Sequence, residues 1–184
     1  MDNQNLVWMD LEMTGLDPER DVIIEVAVIV TDQNLNIVAE GPDVAVYQPA
    51  ALFDGMDQWC REHHTASGLW AKVQASTLSL EQAETMVLDF IRPYVGERES
   101  PLCGNSIWQD RRFIVRYMPK LDRYLHYRMI DVSTIKELVR HWYPERCKYG
   151  EKKNEHRSLA DIRESINELK HYRSVVFRDV GTVE

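Results

Sequence analysis

Val22–Thr31 is the stretch that most restricts how this chain can fold. Val-Ile-Ile-Glu-Val-Ala-Val-Ile-Val-Thr is β-branched and apolar at nearly every position. Branching at Cβ favours extended backbone, and a strand without polar alternation has no face suited to water. The run therefore predicts a central strand buried on both faces.

Its neighbours complete a meander. Leu6-Val7-Trp8 reads as an apolar strand before it. Asp32–Asn36 has turn chemistry, and Ile37–Gln48 reads as a return strand with a kink or bulge at Gly41-Pro42. Helical patterns then alternate with short strands. Phe53–Lys72 predicts a helix or helix pair, and Ser79-Leu80-Glu81-Gln82 is a capping box opening a helix that Pro93 closes. Pro101–Asn105 and Arg128–Val132 read as short strands, with Ser106 and Ser133 as N-caps of the helices that follow. After a charged loop, Cys147–Arg157, a last helix starts at Ser158 with an apolar stripe of Leu159, Ile162, Ile166, Leu169, Tyr172 and Val176. Strands first, then helices alternating with strands, predict an α/β fold with a mixed sheet flanked by helices. With no repeat and no linker, residues 1–184 read as a single domain.

Two acids interrupt the apolar segment before the central strand: Trp8-Met9-Asp10-Leu11-Glu12-Met13. Residues i and i+2 of a strand share a face, so the two carboxylates stand side by side. Two anions there repel each other and resist burial, and a divalent cation between them removes both problems. Further oxygen ligands are available in Asp110, in the first turns of the helix after Ser106, and Asp161, in the first turn of the last helix. Taken singly, each has a plain structural role as an acid at the positive end of a helix dipole. His156 precedes Asp161 by five positions, in the polar loop. Such a histidine is ordinarily just solvated, but it can also overhang whatever the acid binds and take a proton from an attacking water.

Net charge limits the partners. With 22 basic against 30 acidic residues, the chain carries −8 and lacks the basic surface that long nucleic acid requires. One or two substrate phosphates remain compatible with it, because bound metal ions invert the local field. The polar start Met1–Asn5 reads as no signal peptide, no apolar run approaches a membrane span, and the three scattered cysteines are neither a disulfide framework nor a zinc pattern. Together these predict a cytoplasmic protein with reduced thiols and no membrane partner.

Three segments carry a family resemblance: Asp10-Leu11-Glu12-Met13-Thr14-Gly15-Leu16, Asp110 behind Gly104-Asn105-Ser106, and His156-Arg157-Ser158-Leu159-Ala160-Asp161-Ile162. They resemble the three motifs of the DEDD exonuclease superfamily, histidine subclass. Trp59–His64, Ser67-Gly68-Leu69 and Met129–Thr134 make the chain similar, over essentially its full length, to the oligoribonuclease family. The resemblance implies a ribonuclease-H-like fold and a 3′→5′ exoribonuclease acting on very short RNA, dinucleotides above all, with nucleoside 5′-monophosphates as products. It implies two divalent metal ions, Mg²⁺ or Mn²⁺, on Asp10, Glu12, Asp110 and Asp161, with His156 as general base. It further implies that Leu16, Trp59 and His64 meet the bases and that Ser106, Arg128 and Ser133 cap the 5′ phosphate. Tyr127 then reaches in from a second subunit of a homodimer. A DNA proofreading-type exonuclease is the alternative within the superfamily, disfavoured by the acidic charge. A non-catalytic module binding short nucleotides is the alternative outside it, and such a module has no use for His156.

Overall fold

The computed structural model describes residues 5–150 and 158–177. Five strands form one sheet: β1 (Leu6–Met13), β2 (Ile23–Thr31), β3 (Ile37–Ala45), β4 (Leu102–Gly104) and β5 (Met129–Asp131), in the order β3-β2-β1-β4-β5. β1 and β3 run antiparallel to β2, while β1, β4 and β5 are mutually parallel. The sheet is therefore mixed, as predicted. Every residue of β2 is buried, which is what its unbroken apolar run requires. Two residues of β3, Gly41 and Pro42, stand across from the single Val28 of β2, where the register shifts by one. A Pro cannot donate to a ladder, so it sits at an irregularity on the edge strand.

Eight helices flank the sheet among the described residues: α1 (Leu52–Gly55), α2 (Gln58–Ala66), α3 (Leu69–Ala75), α4 (Leu80–Ile91), α5 (Ile107–Tyr117), α6 (Pro119–Tyr124), α7 (Val132–Trp142) and α8 (Ser158–Val175). Alternation along β1 divides the core. Val7, Met9 and Leu11 pack with Val87 and Ile91 of α4, Phe113 and Ile114 of α5, and Leu121 of α6. Trp8 points the other way, among Val139 of α7 and Ile162, Ile166 and Tyr172 of α8. Asp10 and Glu12 share the face of Trp8 and so look toward α8.

Several local expectations need correcting. The segment 53–72 forms three short helices, because Met56 is extended and Gly68 adopts a left-handed conformation (φ 74°) that only glycine takes at little cost. Ser106 is no side-chain cap: its own backbone is left-handed (φ 50°) and its hydroxyl makes no capping bond. Ser133 is not the cap of α7 either. Asp131 is, accepting the Ser133 N–H at 2.9 Å. Pro119 stops α5 but also begins α6, where a missing N–H costs nothing. The buried Glu84 of α4 then takes the Lys120 and Leu121 N–H groups at 2.7 and 2.9 Å. The capping box at Ser79 and Gln82 is present in both directions.

Candidate active site

Because β1, β4 and β5 are parallel, their C-terminal ends lie along one edge of the sheet, where ligands of open α/β sheets bind. β1 outruns β4: the two pair only at Val7 with Leu102 and Trp8 with Cys103. The part of β1 beyond that pairing holds Asp10 and Glu12. The Leu11 N–H between them is taken by Asp110 Oδ1 from α5 at 3.0 Å. From the opposite face, the first turn of α8 brings Asp161. Asp10, Glu12 and Asp161 each offer an oxygen, and the three oxygens lie within 4.8 Å of one another.

This cluster is electrostatically unfavourable on its own. Burial raises the Asp10 carboxyl well above the ordinary range, and Asp110, Glu12 and Asp161 push it further in that order. Glu12 is raised to about 8, by burial first and then by Glu25, Asp161 and Asp110. Asp110 is raised to about 7 by burial, although the Leu11 N–H bond acts the other way. Carboxylates crowded together at a half-buried site are the donor set a hard divalent cation satisfies. The residues present therefore fit a metal ion.

One acid of this neighbourhood is absent from the sequence reading. Glu25 of β2 stands directly across from Glu12 and is buried. It accepts the Ser158 hydroxyl at 2.9 Å and lies 3.8 Å from Lys72 Nζ. Its one sequence signal is being the lone charge in the apolar run Val22–Thr31. The Ser158 hydroxyl also faces Asp10, whose carboxyl it lowers, so the first residue of α8 is pinned between two acids.

The remaining predicted positions fall into groups. Leu16 is 69% exposed, on the turn after β1, and its carbonyl accepts from Gln109 Nε2 at 2.6 Å and Arg112 Nη1 at 3.2 Å. Trp59 of α2 is also exposed, stacked on His63 with ring centroids 4.6 Å apart. His64, in contrast, is buried. Its Nε2 lies 2.9 Å from the Met13 carbonyl, which can only accept, so Nε2 carries the proton. Burial lowers its pKa and keeps the ring neutral, so His64 ties α2 to the end of β1. Ser106 and Ser133 are brought together: Ser133 Oγ accepts the Ser106 N–H at 2.8 Å, and the two hydroxyls are 3.1 Å apart. Asp131 Oδ1 also takes the Ser106 N–H, at 2.9 Å, a structural role that leaves it outside the metal set. Tyr127 and Arg128 precede β5. Tyr127 is 73% exposed, and the Arg128 guanidinium lies 5.4 Å from its ring centre. His156 lies outside the described residues.

A twisted mixed sheet with an acid cluster at the parallel strand ends defines an exonuclease of the RNase T type, and the RNase T family model, described as an exonuclease, matches residues 7–169. Solved structures agree on the fold. Exonuclease I of Methylocaldum szegediense superposes with a TM-score of 0.61 at 19% identity, and a zinc-bound complex of E. coli exonuclease I with single-stranded DNA with 0.66 at 15%. Each matches 94% of this chain, which spans about two fifths (41%) of theirs. Curated relatives are far nearer. Oligoribonuclease of Vibrio cholerae is 57% identical over 96% of this chain and 97% of its own, and oligoribonuclease of Pseudomonas aeruginosa 56% over 92% and 94%. The chain belongs to the oligoribonuclease family.

Proposed function

We propose that this chain, a 3′→5′ exoribonuclease of short RNA, acts in the cytoplasm on dinucleotides above all and releases nucleoside 5′-monophosphates by a two-metal, histidine-assisted hydrolysis. The observation that carries the reading is the triple of carboxylate oxygens within 4.8 Å, beside Asp110. Asp10, Glu12, Asp161 and Asp110 would hold two divalent cations, Mg²⁺ or Mn²⁺. Bound there, divalent cations acidify the attacking water and stabilise charge on the phosphoryl oxygens. His156, in the segment just before Ser158, takes the proton from that water. The leaving group is the 3′ oxygen of the preceding nucleotide.

Substrate length follows from what surrounds the acids. Exposed Leu16 and Trp59 offer apolar surfaces to the two bases, and buried His64 holds α2 against the end of β1. Ser106, Ser133 and Arg128 receive the 5′ phosphate, which closes the far end of the site. A dinucleotide then meets the cations at one phosphate and the serine pair at the other. A longer strand has no exit, and a surface of charge −8 offers it no track.

The test is a time course on a 5′-labelled dinucleotide and a seven-residue RNA, with and without divalent metal. Metal-dependent cleavage that is fastest on the dinucleotide is expected. Faster hydrolysis of the longer strand under matched conditions refutes the length preference.

The chain acts as a homodimer in which Tyr127 enters the partner's site. An exposed tyrosine with an arginine against its ring supports that reading, since such rings favour interfaces. Tyr127→Ala is expected to lower dinucleotide turnover about tenfold or more, the scale of one buried aromatic contact. Sedimentation should be measured on the same samples. A variant with full activity removes Tyr127 from the site, whatever its oligomeric state.

A further inference from the structure

Glu168 lies on α8, two turns beyond Asp161, with no exposed surface. A carboxylate is buried at a cost unless it is paired and hydrogen-bonded. The Tyr172 hydroxyl donates to its Oε1 at 3.0 Å, the Asn105 side-chain amide donates to its Oε2 at 3.0 Å, and Lys136 Nζ lies 3.9 Å away.

The chemistry of these partners has a direction. A carboxylate only accepts, so the Asn105 NH₂ must face Glu168. The same NH₂ donates to Ser165 Oγ at 2.8 Å, and Ser165 gives its own proton to the Asp161 carbonyl at 2.9 Å. The Asn105 carbonyl is thereby turned toward Ser133, whose hydroxyl donates to it at 3.1 Å. Ser133 has one hydroxyl proton, now committed, and its lone pairs face the N–H and hydroxyl of Ser106. Ser106 is therefore the donor in the 3.1 Å pair, and its hydroxyl is the one that can turn from Ser133 to an incoming acceptor.

Resting on the reading that Ser106 and Ser133 meet the 5′ phosphate, we propose that Glu168 is a positioning residue for that phosphate. Acting through Asn105, it holds the amide one way round and so fixes which hydroxyl of the serine pair donates. The same amide also joins the β4–α5 junction to the turn of α8 that carries Asp161. Glu168 touches neither substrate nor the reacting atoms. A role confined to packing α8 would affect all substrates alike, whereas a directional role affects those with a terminal phosphate.

Glu168→Gln separates the two. A glutamine donates as well as accepts, so it no longer forces the Asn105 amide into one orientation. The quantity to measure is kcat/KM for a dinucleotide bearing a 5′ phosphate divided by kcat/KM for the same dinucleotide with a 5′ hydroxyl. The ratio is expected to fall about tenfold, the worth of one charge-assisted hydrogen bond, with the change in KM rather than kcat. Mn²⁺ binding measured by calorimetry should stay near the unaltered value. Asn105→Leu, which removes both the NH₂ held by Glu168 and the carbonyl that holds the Ser133 proton, is expected to lower the same ratio and carries the test if Glu168→Gln does not fold. An unchanged ratio in the folded variants, or an equal loss on both substrates, overturns the proposal. Ser106→Ala and Ser133→Ala are the controls. If neither changes the ratio, the phosphate-capping reading fails instead. If the serine variants lose the ratio while Glu168→Gln and Asn105→Leu keep it, only the role of Glu168 is lost.

Discussion

Asp10→Asn is expected to abolish dinucleotide hydrolysis and, in metal-free protein near pH 8, to raise the melting temperature. Both effects come from the same crowding. Asp10 is held well above its ordinary pKa by burial and by Asp110, Glu12 and Asp161. Glu12 is raised to about 8 and Asp110 to about 7, also by burial first. Unfolded, such groups lose their protons near pH 4. Between those limits the folded state binds more protons than the unfolded one, so stability of the metal-free protein falls as pH rises from about 4 through about 8. Asparagine removes one of the charges responsible and leaves the shape unchanged. Its melting curve in EDTA should therefore depend less on pH and lie above that of the unaltered protein at pH 8. With Mn²⁺ the order reverses, because the cation stabilises the four-acid site more than the three-acid one. Activity should fall by at least about 100-fold, since changes to outer-shell partners of metal ligands already cost 10–100-fold. Calorimetry at pH 5 and 8, with and without metal, checks this. A variant less stable than the unaltered protein in EDTA at pH 8 would show that the Asp10 carboxylate serves packing.

His156→Ala should lower kcat by about 10²–10⁴-fold, the usual contribution of a positioned general base. KM and Mn²⁺ affinity should change only a few-fold, because the acids that hold the cations are untouched. Single-turnover rates with saturating dinucleotide isolate the chemical step. Turnover equal to that of the unaltered protein would remove the histidine from the mechanism.

The parts of this molecule legible in its sequence are those set by local chemistry. β2 follows from an unbroken apolar run, α4 from a capping box, and α8 from a stripe at helical spacing. The pairing of Asp10 with Glu12 on one face follows from the period of a strand. What could not be read depends on distant partners. The start of α6 is stabilised by Glu84, more than thirty residues earlier, a partner that the sequence around Pro119 does not indicate. The cap of α7 is Asp131 and not Ser133, and the same two side chains also receive the N–H of Ser106, twenty-five or more residues earlier. Glu25 and Glu168 belong to no motif in the sequence. Only the fold shows that each is buried beside a hydroxyl or amide that donates to it.

The register of β1 against β2 breaks once, between Glu12 and Met13, directly after the second acid. Up to that break, Asp10 and Glu12 are fixed by a continuous ladder to a strand with no exposed residue. Beyond it, Gly15 to Asp21 form a turn held by Thr14 and Asp21 side-chain bonds. The turn that carries Leu16 has supports of its own, those side chains and the Gln109 and Arg112 bonds to the Leu16 carbonyl, besides the ladder that fixes Asp10 and Glu12. On the proposed reading, the segment that meets the bases and the segment that holds the cations therefore rest on different supports.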